Sequence, residues 1–587
     1  PQDIEWALDA DGLWLLQSRP ITTLPTGRLR VWDNANIAES YGGVTTPLTF
    51  SFARRAYAAV YRSFCELLGV PETRLSTEAE VFGEMLGLIR GRVYYNLASW
   101  YRVLTMLPGY RLNARFMEGM MGVRDGIPDE IRPAPSSGSR WRDALSLAGS
   151  ALGLVRAALG LGRRRRAFLA RLNEALAPVD LDAMDLDALA AHYRDLESAL
   201  LKRWDAPIVN DFFAMIAFGI AKGVAEKWLP PGLFGHLLSG DGDIISAEPA
   251  RRIRAMGAAI SETTAEALTS GDEARLGAAM TADPDLARDL EDYLAQFGDR
   301  CLEELKLESP TLADDPTPLH HAIAAARRLP ATHDPAALRA DAERQMAEAL
   351  RGHPLRRLVF GRALGLARRR VRDRENLRFE RTRVFGRARR IVLAMGDRLT
   401  EAGHLRAPRD VFYLEIGELL GAVDGTGTAH DLASVADARR REFDAYRDGE
   451  PPPDRFSTRG AVATSALIPA ISHGAMESLD GDVRQGLGCC AGVVEGPVRV
   501  VRDPRGVTLE PGTVLVAERT DPGWVLLFPM CAGLVVERGS LLSHSAIVAR
   551  EMGIPAAVSV PGATDWLRDG DRVRLDGATG TVTRLDA

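Results

Sequence analysis

The residues with the clearest chemical potential lie in the run Gly539-Ser540-Leu541-Leu542-Ser543-His544-Ser545-Ala546. Ile547, Val548, Met552 and Ile554 follow at helical spacing. The pattern predicts a short helix with Ser543 as its cap and His544 in its first turn, exposed at the helix start. An imidazole there meets unpaired backbone N–H groups and the positive end of the helix dipole. That field disfavours imidazolium, so the ring is left neutral and able to attack phosphorus, and it then suits the phosphoryl group the ring would carry. The competing reading is an incidental polar residue at a capped helix start.

Two other concentrations of chemistry stand in the middle of the chain. Residues Arg362 to Arg390 hold twelve arginines, of which Arg370, Arg374, Arg378 and Arg381 recur at the spacing of one helix face. Such a stripe is either a solvated face paired with Asp373, Glu375 and Glu380, or a receiver for phosphate. Arg92, Tyr94, Tyr95, Trp100, Tyr101 and Arg102 combine flat rings with guanidinium groups, which suits an aromatic or anionic acceptor as well as ordinary core packing. The run from Pro207 to Val224 is too apolar for a surface helix and reads as core or as the wall of an apolar pocket.

These side chains need elements to hold them. Ala532 to Glu537 is an apolar run that reads as a buried strand delivering the His544 loop, and Gly553 and Pro555 punctuate the end of the helix. The chain opens with two alternating stretches around Asp9-Ala10-Asp11-Gly12, a hairpin whose second strand puts Gln17 and Arg19 on one face. Such a ribbon is marginal by itself in water, which predicts that it completes something larger.

Around His544 the sequence resembles the phosphohistidine, or swivelling, domain of the dikinase-type phosphotransferases, the family of phosphoenolpyruvate synthase, pyruvate phosphate dikinase and rifampicin phosphotransferase. The resemblance rests on Thr520-Asp521-Pro522, Gly533-Leu534-Val535-Val536-Glu537, Ser543-His544-Ser545-Ala546, Ala549-Arg550 and Gly553-Ile554-Pro555-Ala556, with Ser540 standing where the family pattern has a second glycine. Gln2-Asp3-Ile4-Glu5-Trp6 and Leu16-Gln17-Ser18-Arg19-Pro20 resemble the closing hairpin of the family's ATP-grasp domain. The resemblance implies that His544 is the phosphorylated residue, that Glu5 ligates magnesium bound to ATP, and that Gln17 and Arg19 contact its phosphates. It also implies AMP and phosphate as co-products. Trp32-Asp33-Asn34, Gly91 to Asn96 and Trp100-Tyr101-Arg102 resemble the rifampicin phosphotransferase branch, in which a mainly helical domain binds the acceptor.

At 587 residues the chain can bury several cores. Its net charge of −6, from 73 basic and 79 acidic residues, argues against a nucleic-acid partner. Five cysteines without metal or disulfide spacing point to a reducing cytoplasm. Ala144 to Gly162 is the most span-like stretch by eye, but Arg156, four glycines and the following Arg163 to Arg166 argue against a membrane crossing.

The expected architecture is α+β and multidomain. It comprises an ATP-grasp hairpin over 1–24, a large, mainly helical acceptor-binding domain over 25–471, a hinge over 472–488 and a small α/β phosphohistidine domain over 489–587. Helices are expected near 49–68, 206–228 and 364–403, among others. The sequence ends without the barrel domain on which phosphoenolpyruvate synthase and pyruvate phosphate dikinase bind their acceptor, which favours the branch with a helical acceptor domain. The function this implies is an ATP-dependent relay through phosphohistidine to a small-molecule acceptor. It would be incomplete without an ATP-grasp domain supplied in cis or in trans. The alternatives are a non-catalytic phosphocarrier or regulatory module, and a phosphoenolpyruvate synthase-like subunit acting with separate chains.

Overall fold

The structure is a computed structural model that describes residues 2–9, 12–20, 27–34, 36–107, 140–230, 232–238, 244–328, 335–465, 467–469, 481–507 and 509–585, with 140–157 as backbone. It is α+β: a hairpin, a helical body that carries a small sheet, and a C-terminal α/β unit. In the hairpin, Gln2–Asp9 and Gly12–Pro20 pair antiparallel with Glu5 opposite Gln17. Its apolar side chains Ile4, Trp6, Leu8, Leu13, Trp14, Leu15 and Leu16 are exposed.

The helical body is closed by a five-stranded sheet in the order Leu86–Ile89, Arg92–Asn96, Leu29–Asp33, Arg455–Arg459, Ile468–Pro469. Strands from the two ends of the region thus lie side by side. Trp32 Nε1 donates to Thr458 Oγ1 at 2.9 Å and Arg455 Nε to the Asp33 carboxylate at 2.6 Å. Val31 and Trp32 enter the core and draw Leu29–Asp33 into the sheet. The next helix, Pro47–Leu67, starts on a proline at its first position and stops just before Gly69, close to expectation.

One helix organises the rest. Pro354–Glu401 runs for 48 residues, beginning at a proline rather than near residue 364, and packs along Asp205–Trp228. Leu364, Ala367, Val371, Leu377, Val384, Ile391, Val392 and Met395 are buried on it, and so are Asp373, Glu375, Arg387 and Arg389. Arg370, Arg374 and Arg378 of its stripe are half-buried and paired with Asp373 and Glu375 rather than set on a solvated face. The aromatic cluster of residues 94–101 is likewise core: Tyr94 stacks edge-on against Phe456 and Tyr95 against Trp100, at 5.1 and 5.4 Å between ring centres. By length and composition, Leu186–Trp228 is apolar enough to cross a membrane, with 39% of its most apolar window buried; it is broken into two helices and a short 3-10 turn. The side chains of Ala144 to Arg156 lie outside the described residues.

The C-terminal unit is built on an eight-stranded sheet, ordered Val483–Gln485, Thr581–Leu585, Arg572–Asp576, Val493–Val500, Val514–Ala517, Gly533–Val536, Ala556–Val558, Leu487–Cys490. Its centre is parallel and its strands there are buried throughout, the arrangement that continuous apolar runs dictate. Residues 483–485 and 487–488, read from sequence as part of the hinge, belong to strands of this sheet. Val483 to Gln485 pair with Thr581 to Thr583, and Leu487 to Cys490 pair along Ala556 to Val558. The first half of the expected hinge, 472–480, lies outside the described residues.

Candidate functional site

The strand Gly533–Val536 leads through the His544 loop into the helix His544–Met552, which returns to the parallel strand Ala556–Val558. Ser543 is the cap residue, and its Oγ lies 3.1 Å from Ser545 Oγ. Gly553, at φ 67°, ends the helix in the left-handed region that glycine adopts without strain. Ser540 does not need the glycine that the family pattern has there: among the described residues the non-glycines with left-handed φ are Arg90, Glu303 and Ser559.

His544 is the first residue of its helix, as expected, but it is 6% exposed rather than open to solvent. The reason is a second domain. The helix Pro354–Glu401 lies against the loop, and Arg374 Nη1 donates to the carbonyl of Leu542 at 2.8 Å. His544 Nδ1 sits 3.3 Å from Glu375 Oε2, while His544 Nε2 is buried with no hydrogen-bond partner among the described residues. A carboxylate at Nδ1 favours the proton there and leaves the lone pair on Nε2. Glu375 is fully buried. Its Oε2 also accepts from Ser246 Oγ at 3.2 Å, and its Oε1 lies 3.2 Å from Arg374 Nη1 and 3.8 Å from Arg378 Nη1.

The electrostatics follow from this packing. Burial works to raise the Glu375 carboxyl, but the hydrogen bond with His544 and the guanidinium groups of Arg378 and Arg374 outweigh it and hold it well below the usual carboxylate range. Burial lowers His544; Glu375 opposes it, Arg300 and Arg378 reinforce it, and the net shift is downward. The ring is neutral, as the helix-dipole argument expects, though chiefly because it is buried. Arg378 is raised: burial opposes its charge, and Glu375, Asp211 and Glu39 overcome that.

A cavity of about 190 Å³ opens beside this cluster, with Tyr57, Tyr61, Trp204, Asp211, Arg378 and Arg381 in its wall. It joins the histidine through Glu375, since Arg378 is shared between the two and Asp211 Oδ1 lies 3.7 Å from Arg374 Nε. The apolar run from Pro207 thus has both of the roles open to it. Pro207 and Ile208 line the cavity, while Ala214, Ala217 and Ala221 are core.

The two domains meet again at the Thr520-Asp521-Pro522 turn. Arg300 Nη1 donates to the Pro522 carbonyl at 3.2 Å, and a Cβ on Gly523 would stand 2.3 Å from the Cys301 carbonyl oxygen, so the backbones touch where only glycine fits. Asp521 accepts from Gly523 N at 2.7 Å. Burial raises its carboxyl to about 7 against these backbone bonds, helped by Glu304 and Glu303 across the seam.

Of the other residues singled out from sequence, Glu5 and Gln17 stand opposite each other on the exposed hairpin, with Arg19 two positions along the same strand face. None is among the partners of His544. Glu375 is legible in the sequence only as a neutraliser of arginines. Nothing local marks it as the partner of a histidine 169 positions away. Asp211 and Arg300 carry no sequence signal of their own. Among the described residues no cluster of three or more His, Cys, Asp or Glu side chains forms a metal site.

With this geometry in place, the chain was compared with known proteins. Residues 509–580 match the family described as PEP-utilising enzyme, mobile domain, and residues 208–375 match the rifampicin phosphotransferase fourth domain. The first segment contains His544; the second contains Asp211, Arg374 and Glu375. An uncharacterized protein of Mycobacterium tuberculosis is 38% identical over 217 residues, covering 37% of this chain and 24% of that one. A rifampicin phosphotransferase from a Streptomyces species is 29% identical over 635 residues, covering 100% of this chain and 66% of that one. A prodigiosin-synthesizing transferase of Serratia marcescens is 26% identical over 633 residues, covering 99% and 68%. The chain therefore spans from about a quarter to about two thirds of the length of these relatives.

Proposed function

We propose that this chain, which is similar to the rifampicin phosphotransferase-like PEP-utilising proteins on both sides of its site, relays a phosphoryl group through His544 to a small molecule held in the neighbouring cavity. The observation that carries the reading is the buried pair in which Glu375 holds Nδ1 while Nε2 is left without a hydrogen-bond partner among the described residues. A phosphoryl group on His544 would bring its charge into the field of Arg300 and Arg378, the guanidiniums that act on the ring, and Arg378 is already held by Glu375. Asp211 is placed to take the proton of an acceptor hydroxyl. The P–N bond breaks as the P–O bond forms: the electron pair of the broken bond returns to Nε2, the imidazole departs neutral with its proton on Nδ1, and the hydroxyl proton stays on Asp211 until solvent takes it. A bare phosphocarrier would have no use for a cavity beside its histidine.

The upstream half-reaction belongs to the hairpin. A carboxylate and a guanidinium on one face of the hairpin suit a hard divalent cation and phosphate oxygens, so Glu5 would take magnesium and Gln17 and Arg19 the phosphates of ATP, with AMP and phosphate as products. The hairpin supplies one wall of such a site, and an ATP-grasp domain in cis or in trans supplies the rest. In the assembled protein, Glu5→Ala or Arg19→Ala is expected to slow labelling of His544 from ATP by ~10-fold or more. Discharge of preformed phosphohistidine to acceptor should stay unchanged. Rapid-quench measurement of the two half-reactions separates these outcomes, and equal loss in both would make the hairpin structural.

Serving both sites requires the C-terminal unit to dock and undock, and two buried groups make docking sensitive to pH in opposite directions. Burial at the seam, with Glu304 and Glu303 facing it, raises Asp521 to about 7, so the part of that rise that docking supplies favours docking at low pH and is lost as pH rises to 7. Docking lowers His544 from 6.5, so its share is present above pH 6.5 and is lost as pH falls below it. Asp521→Asn should leave docking that strengthens with pH up to 6.5, and His544→Ala docking that weakens with pH up to 7, each by at most about tenfold per unit. Energy transfer between dyes on the two units measures this. Parallel profiles for the two variants would refute it.

A further inference from the structure

The cavity says something about the molecule it receives, an inference that rests on the acceptor reading above. Along Pro354–Glu401 three charged residues advance from the histidine into the cavity: Glu375 at His544, Arg378 shared, and Arg381 at the far side among Tyr41 and Tyr57. The first two are compensated. Arg381 is not: it makes no ion pair among the described residues, and its Nε is buried without a hydrogen-bond partner. Glu304, the nearest acid acting on it, is already engaged by Arg300 at 3.2 Å and by Thr382 at 2.9 Å. A guanidinium kept in an aromatic-lined cavity without an anion costs stability, and a fixed fork of donors in such a place matches a carboxylate. The surrounding rings, Tyr57, Tyr61 and Trp204, suit a flat apolar body.

We propose that the acceptor is an aromatic hydroxy acid, its carboxylate on Arg381, its ring between the tyrosines and Trp204, and its hydroxyl toward Asp211 and the phosphoryl group of His544. Six helical positions separate Glu375 from Arg381, a rise of about 9 Å. That is the span of one ring with a short side chain, and it is consistent with a cavity of about 190 Å³.

The probe is 4-hydroxycinnamate, compared with its methyl ester, titrated calorimetrically into the full chain up to millimolar concentration. The acid is expected to bind at least about tenfold tighter than the ester. Arg381→Gln should abolish that preference and Arg381→Lys should keep part of it. Because Arg381→Gln removes an uncompensated charge, its melting temperature should match or exceed that of the native protein, so a lost preference is not lost folding. Equal binding of acid and ester, binding of neither, or a preference that survives Arg381→Gln overturns the proposal. A parallel sample treated with phosphoramidate tests the relay alone: phosphohistidine on the native chain but not on His544→Ala upholds the carrier whatever the acceptor.

Discussion

Changing His544 to alanine is expected to abolish both half-reactions, with no acid-labile phosphate on the chain and no transfer to acceptor, while the fold persists. Packing of this helix is done by Ala546, Ile547, Val548 and Met552, all buried, and Glu375 keeps Ser246, Arg374 and Arg378 when the imidazole is gone. The change is not silent for stability, because His544 is itself buried against a carboxylate; a loss of about 1–3 kcal/mol is the usual cost of deleting one such hydrogen-bonded side chain. Acid-sensitive labelling and a thermal melt on the same sample test both parts. Residual phosphoryl transfer by the alanine variant would remove His544 from the mechanism.

The second large effect is expected at Glu375, and two substitutions separate its roles. Glu375→Gln keeps the shape and can still accept from Ser246, but it no longer fixes the tautomer of His544 or balances Arg374 and Arg378. Transfer from phosphohistidine should fall by about 10²–10⁴, the range for removing a carboxylate that orients a reacting histidine. Glu375→Ala should in addition destabilise the chain by about 1–3 kcal/mol, because Ser246 and Arg378 lose their buried acceptor while Arg374 keeps Asp211 and the Leu542 carbonyl. Single-turnover discharge measured beside a denaturant titration distinguishes them. If Gln matches the native rate, Glu375 is only a structural counter-ion.

How much of this was legible beforehand depends on the range of the interaction. His544, its capping serine, the strand before it and the Gly553 stop are a local pattern, and each sits where spacing places it. The α+β division was also readable, since the four-residue apolar strands of the C-terminal unit contrast with long three-and-four repeats before them. The burial of His544 was not. It depends on Glu375, Arg374 and Arg300, which reach it only through tertiary packing. The same limit explains Leu29–Asp33, a strand whose partner Arg455–Arg459 lies some 400 residues on. It explains Val483–Gln485 too, where a polar stretch without a long period pairs with the last strand of the described chain. The arginine stripe misleads for a different reason. Its spacing gives a face correctly but cannot say whether that face meets water or Glu375 and Asp211.

The helix Pro354–Glu401 presents its histidine-facing carboxylate and its cavity-facing guanidiniums on one continuous backbone, so their relative bearing is set by helical phase alone. One residue inserted between Glu375 and Arg378 would turn everything beyond it by about 100° and push it along by about 1.5 Å. Either the half that holds Glu375 or the half that holds Arg378 and Arg381 would then face the wrong way. An insertion of a full seven residues would restore the bearing but separate donor and receiver by about 10 Å, farther than a phosphoryl group can be handed across. Within this segment the number of residues is as constrained as the identities of Glu375, Arg378 and Arg381.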